Sequence, residues 1–151
     1  MFRSIAIMAA AAFALPVLAD GHAVDLTATG DAAAGEKAFR QCVSCHVVVN
    51  DAGETLAGKR AKAGPNLYGV VGATAGSVEG YKYSKLMVAA GEGGTVYDEA
   101  NFVAYVQDPT GFLREVTGQG GRGKMSYKVR KEADALNLYA YLASLAPAPS
   151  N

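Results

Sequence analysis

Between residues 42 and 46 the chain reads Cys-Val-Ser-Cys-His, and these five residues restrict its fold more than any other stretch. They hold both of its cysteines and one of its two histidines. A structural zinc site needs four ligands, and outside the cluster the chain offers only His22. A thioredoxin-like dithiol sits at the end of a strand in an α/β fold, and no strand pattern precedes Cys42. A plain disulfide leaves His46 without a role. Covalent attachment of a c-type haem uses all three side chains: each thiol adds across one vinyl group, and the adjacent imidazole reaches the iron.

The 151 residues suffice for one domain. Half are hydrophobic and the formal net charge is zero, so the balance points to neither disorder nor nucleic-acid binding. With 18 glycines and no tryptophan, long loops and a modest core of the chain's own are expected. At the N-terminus Arg3 precedes an apolar run, Ile5 to Leu15, that is too short to span a bilayer. Val17-Leu18-Ala19 offers cleavage positions, so residues 1–19 read as a signal peptide and the mature chain begins near Asp20. An uncleaved anchor is the alternative. Export implies the periplasm or an equivalent oxidising space.

Residues 20–30 read as a flexible linker, 31–146 as the domain and 147–151 as a C-terminal tail. Asp31 can cap a helix running to about Gln41, with Gly35 and Phe39 on one face and the glycine permitting close approach of another helix. Gly64-Pro65-Asn66 is a turn signal, and Tyr81 to Ala90 is a short helical candidate. Thr95-Val96-Tyr97-Asp98 reads as a capping box for a helix that stops near Asp108, before Pro109. Residues 118–124 form a further loop. The last helix is expected from Lys131 to Leu145, with Leu138, Leu142 and Leu145 on one stripe and Pro147 as its stop. With no strand pattern or repeat, the class is all-α with large loops.

For the sixth iron position the search is among methionines. Met1 and Met8 leave with the leader. Met87 sits in the apolar run Leu86-Met87-Val88-Ala89, where methionine usually fills core. Met125 follows the polar loop Gly121-Arg122-Gly123-Lys124, where burying a thioether needs a reason, so context favours Met125.

Gly35 to Phe39, Cys42 to His46, Gly64-Pro65-Asn66-Leu67-Tyr68-Gly69, Tyr81-Lys82-Tyr83 and Lys124-Met125 occur in the order seen in class I cytochromes c. The chain resembles these over nearly its whole mature length. It is most similar to the larger bacterial subgroup, cytochrome c2 and its periplasmic relatives, because the loops before Pro65 and Met125 are long. The resemblance implies a cytochrome c fold, with short helices and long loops wrapped around one covalent haem. It implies that Pro65 offers its carbonyl to Nδ1 of His46, that Tyr83 bonds a haem propionate, and that Tyr105 lies beside the Met125 sulfur. It also implies terminal helices crossing at Gly35 and Phe39 against Leu138 and Tyr141. Plain helix-face packing is the alternative for Tyr105 and Tyr141. Tyr97 stands where relatives usually carry a propionate-bonding tryptophan, and its phenol can donate the same kind of bond. Ala73 stands where many carry an arginine, which implies a lower potential than in an arginine-bearing relative.

The function so implied is one-electron shuttling from a cytochrome bc complex to a reaction centre or a terminal oxidase or reductase, by a monomer that is not an enzyme. A five-coordinate haem gas sensor or haem enzyme is the competing class, although in cytochrome c′-like bundles the attachment motif lies near the C-terminus. Arg114, Arg122, Lys124, Lys128, Arg130 and Lys131 bracket Met125, and Lys59, Arg60 and Lys62 precede Pro65. Glu92, Asp98, Glu99 and Asp108 lie in a stretch without bases. A basic haem-edge face docking transiently on acidic membrane-complex partners is the expectation, with solvated loops the plainer reading.

Overall fold

A computed structural model describes residues 23–146, five helices and one small hairpin. The expected leader, its cleavage site, His22 and the C-terminal tail lie outside the described residues. Helix α1 (Ala32–Phe39) starts where Asp31 accepts hydrogen bonds from the N–H groups of Ala33 and Ala34, at 2.8 and 3.1 Å. After Phe39 the chain tightens into successive turns. The Cys42 N–H donates to the Phe39 carbonyl at 2.8 Å, and the His46 N–H donates to the Cys42 carbonyl at 2.9 Å. That last bond spans four residues, one helical turn, so Cys42 and His46 are stacked on one side of the chain.

Strands β1 (Val48–Val49) and β2 (Thr55–Ala57) pair antiparallel with a bulge. No strand was expected, and segments of two and three residues are too short for alternation to show. Helix α2 (Lys85–Glu92) begins later than the expected Tyr81, because the Ser84 hydroxyl caps it by accepting from the Met87 N–H at 3.2 Å. Helix α3 (Glu99–Gln107) is capped by Asp98, not by Thr95: the carboxylate accepts from the Asn101 N–H at 2.7 Å. Thr95 and Val96 are extended instead, with the Thr95 carbonyl accepting from Ala75 N–H and Val96 bridged to Thr74.

Helix α4 (Pro109–Thr117) was not expected. Proline ends a preceding helix but also suits the first position of the next, where its missing N–H is no loss. Asp108 caps α4 by accepting from the Gly111 N–H, and Gly118 closes it at φ +63°, a left-handed conformation that glycine adopts without strain. Helix α5 (Glu132–Leu145) follows the expected bounds, with Leu138 and Leu142 buried and Leu145 half-buried.

The terminal helices α1 and α5 form the largest helix contact. They meet at Gly35, where a Cβ would stand 2.7 Å from that of Tyr141, too close for any real pair. Phe39 packs its ring 5.6 Å from that of Tyr141. The crossing expected at Gly35 and Phe39 therefore has its cause in the missing side chain. The end of the expected linker is docked rather than free. Leu26 packs on the core, and the N–H and hydroxyl of Thr29 both donate to the Glu99 carboxylate, at 2.7 and 2.9 Å. No helix among the described residues is long and apolar enough to cross a membrane.

Candidate haem cavity

Between the terminal helices, α2, α3 and the two long loops lies a cavity of about 380 Å³. This is within the range of about 300–1,000 Å³ usual for cofactor sites. Its apolar wall includes Leu67, Val70, Phe102, Val106, Leu138 and Leu142. Cys42, Cys45, His46, Pro65, Tyr83, Tyr97, Tyr105 and Met125 all reach the same wall, although they come from five segments of chain. A large planar apolar group with two sites for thiol addition fits this donor set. Among the described residues no cluster of three or more His, Cys, Asp or Glu is placed to hold a bare metal ion.

His46 is held from below by the segment after the first loop. Its Nδ1 lies 2.9 Å from the Pro65 carbonyl oxygen, so Nδ1 carries the proton and donates, and Nε2 keeps its lone pair. Burial pushes the His46 pKa below its ordinary value, and the bond to Pro65 opposes that shift only in part. The imidazole is thus neutral at pH 7, the form that ligates iron. The Gly64 N–H donates to the Cys45 carbonyl at 2.7 Å, and a Cβ on Gly64 would stand 2.6 Å from His46 Nδ1. Asn66 locks the same turn to β1. Its amide donates to the Val49 carbonyl at 2.7 Å, and its side-chain oxygen accepts from the Val49 N–H at 2.9 Å. The turn signal at Gly64-Pro65-Asn66 carries no trace of this clamp, which depends on a strand pairing too short to foresee.

The thiols are free, Cys42 half-buried and Cys45 exposed. Burial, with Cys45 beside it, pushes the Cys42 thiol up to about 11, so before attachment it remains protonated at neutral pH.

Met125 is half-buried on the cavity wall. Its loop has no helix or strand and is tied down by α3 and α4. Arg114 Nε donates to the Gly121 carbonyl at 2.8 Å, and the Gly123 N–H donates to the Thr110 hydroxyl at 3.1 Å. Beyond Met125, Lys128 pairs with Asp108 at 2.8 Å and the Val129 N–H donates to the Val106 carbonyl at 2.8 Å. Asp108, which belongs to the acidic stretch in sequence, therefore sits within the basic loop in space. The helix missed in the sequence carries two of these anchors, Thr110 and Arg114, and its cap Asp108 supplies a third.

Met87 also reaches the wall but is buried, and its sulfur accepts a hydrogen bond from the Tyr97 hydroxyl at 3.3 Å. Tyr97 thus turns its phenol to a thioether, which its place as a tryptophan substitute did not foretell. Burial raises the pKa values of Tyr97 and Tyr105 far above the usual phenol value, so both remain neutral donors. The Tyr105 ring lies 5.5 Å from that of Tyr97 and 6.0 Å from that of Phe112. Tyr83 meets Tyr81 edge-on at 4.8 Å.

No protein-family model matches the chain. It is 64% identical over 118 residues to a cytochrome c2 of Rhodovulum adriaticum, covering 78% of this chain and 94% of that protein. It is 52% identical over 151 residues to a cytochrome c2 of Cereibacter sphaeroides, covering 98% and 99%. Its backbone matches an X-ray structure of cytochrome c2 from Rhodobacter sphaeroides with a TM-score of 0.77 at 56% identity, over 80% of this chain and 99% of that one.

Proposed function

The chain belongs to the cytochrome c2 family, class I cytochromes c with one covalent haem c, and from that premise we propose a periplasmic one-electron carrier whose iron is held by His46 and Met125. The observation that carries this reading is that Cys42, Cys45, His46 and Met125, from separate turns and loops, line one apolar cavity. When bound, the haem supplies an iron that changes oxidation state by one electron. The chain's residues hold that group and keep its surroundings constant. Cys42 and Cys45 anchor it, His46 presents Nε2, and Pro65 fixes the tautomer. Met87 already uses its sulfur as an acceptor from Tyr97, which supports Met125 as the methionine available to iron. A thioether ligand raises the potential, and two protein ligands close the iron to small molecules, which suits a carrier better than a sensor or an enzyme. Tyr83, Tyr97 and Tyr105 supply neutral phenols around the group.

Residues 1–19 act as leader, and residues 31–146 form the carrier domain, with 26–30 docked on it. Lys124 lines the cavity, and Lys59, Arg60, Lys62 and Arg122 are exposed on the two loops flanking it. That basic rim docks a monomer transiently on acidic surfaces of a cytochrome bc complex and of a reaction centre or oxidase. The test takes the exported, mature protein. Sharp low-spin c-type bands on reduction, and a weak long-wavelength sulfur-to-iron band on oxidation, are expected. Electron transfer to the membrane complex should slow steeply as ionic strength rises past about 0.1 M, where the screening length falls to roughly 10 Å. A high-spin spectrum would sink the ligand set, and indifference to salt would sink the docking face.

Ala73 is half-buried on the cavity wall, with its N–H and carbonyl both hydrogen-bonded. A cation there would oppose oxidation of the iron. Ala73→Arg should raise the midpoint by something on the order of tens of millivolts. A potentiometric titration showing an unchanged or lower midpoint would overturn this account of Ala73.

A further inference from the structure

We propose that Tyr81 is a positioning residue, a clasp that joins the two walls of the cavity and holds Met125 on the iron. The inference rests on Met125 being the sixth ligand. The Tyr81 hydroxyl donates to the Ala63 carbonyl at 2.7 Å. Ala63 directly precedes Gly64-Pro65, the turn whose backbone supports His46. The other side of the same residue faces the Met125 loop: Lys124 Nζ stands 5.2 Å from the centre of the Tyr81 ring. That ammonium also donates to the Lys82 carbonyl, next in sequence to Tyr81. Tyr83 packs edge-on against the ring at 4.8 Å and limits its tilt. One side chain thus reaches, with different atoms, the support of His46 and the neighbour of Met125.

The clasp matters because the Met125 loop has little structure of its own. Its hydrogen bonds and ion pair to α3 and α4 arise from positions 106, 108, 110 and 114. Among the described residues, two side-chain hydrogen bonds tie it to segments outside those helices, Tyr127 to Gln41 and Lys124 to Lys82. The ring of Tyr81 steadies the second. A ligand on such a loop stays bound in proportion to the time the loop spends in place. Loosening the clasp raises the fraction of molecules in which the thioether has left the iron.

Exogenous imidazole measures that fraction, because it can take the sixth position only when Met125 is displaced. Ferric holoprotein is titrated with imidazole and followed by loss of the sulfur-to-iron band, beside a urea unfolding curve. Tyr81→Phe loses the bond to Ala63 but keeps the ring under Lys124, and should bind imidazole about threefold more tightly. Tyr81→Leu loses both contacts and should bind it about tenfold more tightly. Lys124→Gln leaves the Ala63 bond intact but takes the ammonium from the ring and from the Lys82 carbonyl, and should also bind imidazole more tightly than wild type. If Tyr81→Leu fails to incorporate haem, the near-isosteric Tyr81→Phe decides the matter. Equal imidazole affinities in wild type and Tyr81→Phe, with the band present in wild type and absent in Met125→Leu, would overturn the clasp alone. A band that survives in Met125→Leu would overturn the ligand assignment beneath it.

Discussion

Met125→Leu should abolish the sulfur-to-iron band of the ferric protein, lower its midpoint and let carbon monoxide bind on reduction, whereas Met87→Leu should do none of these. The two methionines differ in what already engages them. Met87 is buried on α2, with its N–H on the Ser84 cap and its sulfur accepting from Tyr97. Leucine fills nearly the same volume at a cost usually below about 1.5 kcal/mol. The orphaned Tyr97 hydroxyl then adds about 1–3 kcal/mol, so Met87→Leu should be read in the unfolding curve and not in the spectrum. Met125 is half-buried, in a loop held by anchors on either side of it, and among the described residues no hydrogen bond reaches its sulfur. Replacing it removes a ligand and little packing, so its effect should be nearly complete in the spectrum, and the stability it costs should come from the lost bond to iron. The reverse pattern, with the band lost in Met87→Leu and kept in Met125→Leu, would exchange the two roles.

Legibility in the sequence followed the range over which each signal acts. Cys42 to His46 could be read because the chemistry requires its residues to be adjacent. Asp31 capping α1 was legible for the same reason: donor and acceptor lie two and three residues apart. Close approach at Gly35 was legible in the glycine itself, whereas α5 as its partner came only from the family resemblance. Pro109 was read as a stop, although proline is equally a start and the Asp108 cap was available to say so. Thr95 lost the cap of α3 to Asp98 because its carbonyl and that of Val96 were taken up by partners about 20 residues away or by Asn101. The place of Tyr97 in a family pattern says nothing of its bond to Met87, which is set by packing between α2 and the start of α3. Tertiary contacts of that kind leave no local trace.

Gly64→Ala should damage the site by pressing a methyl group on the His46 imidazole. The glycine does not owe its identity to backbone conformation; the added carbon would stand 2.6 Å from Nδ1 and 2.8 Å from Nε2 of His46. The turn cannot easily withdraw, because the Gly64 N–H is bound to the Cys45 carbonyl at 2.7 Å and Asn66 pins the next residues to Val49. The imidazole cannot easily yield either, being fixed by the Pro65 carbonyl at 2.9 Å and, in the holoprotein, by the iron. Overpacking of this kind costs about 1–3 kcal/mol, and loss of the Nδ1 bond adds about 1 kcal/mol. Because that bond raises the basicity of the imidazole, the midpoint should rise as it is lost. Gly94→Ala, away from the cavity wall, supplies the contrast. At φ +82° with nothing within 4 Å of its added carbon, it should cost about 1 kcal/mol in backbone strain and leave the midpoint unmoved. Urea unfolding and potentiometry on both variants separate the two causes. If Gly64→Ala behaved like Gly94→Ala, His46 would have room to move, and its support by the Gly64-Pro65 turn would be too loose to tune the iron.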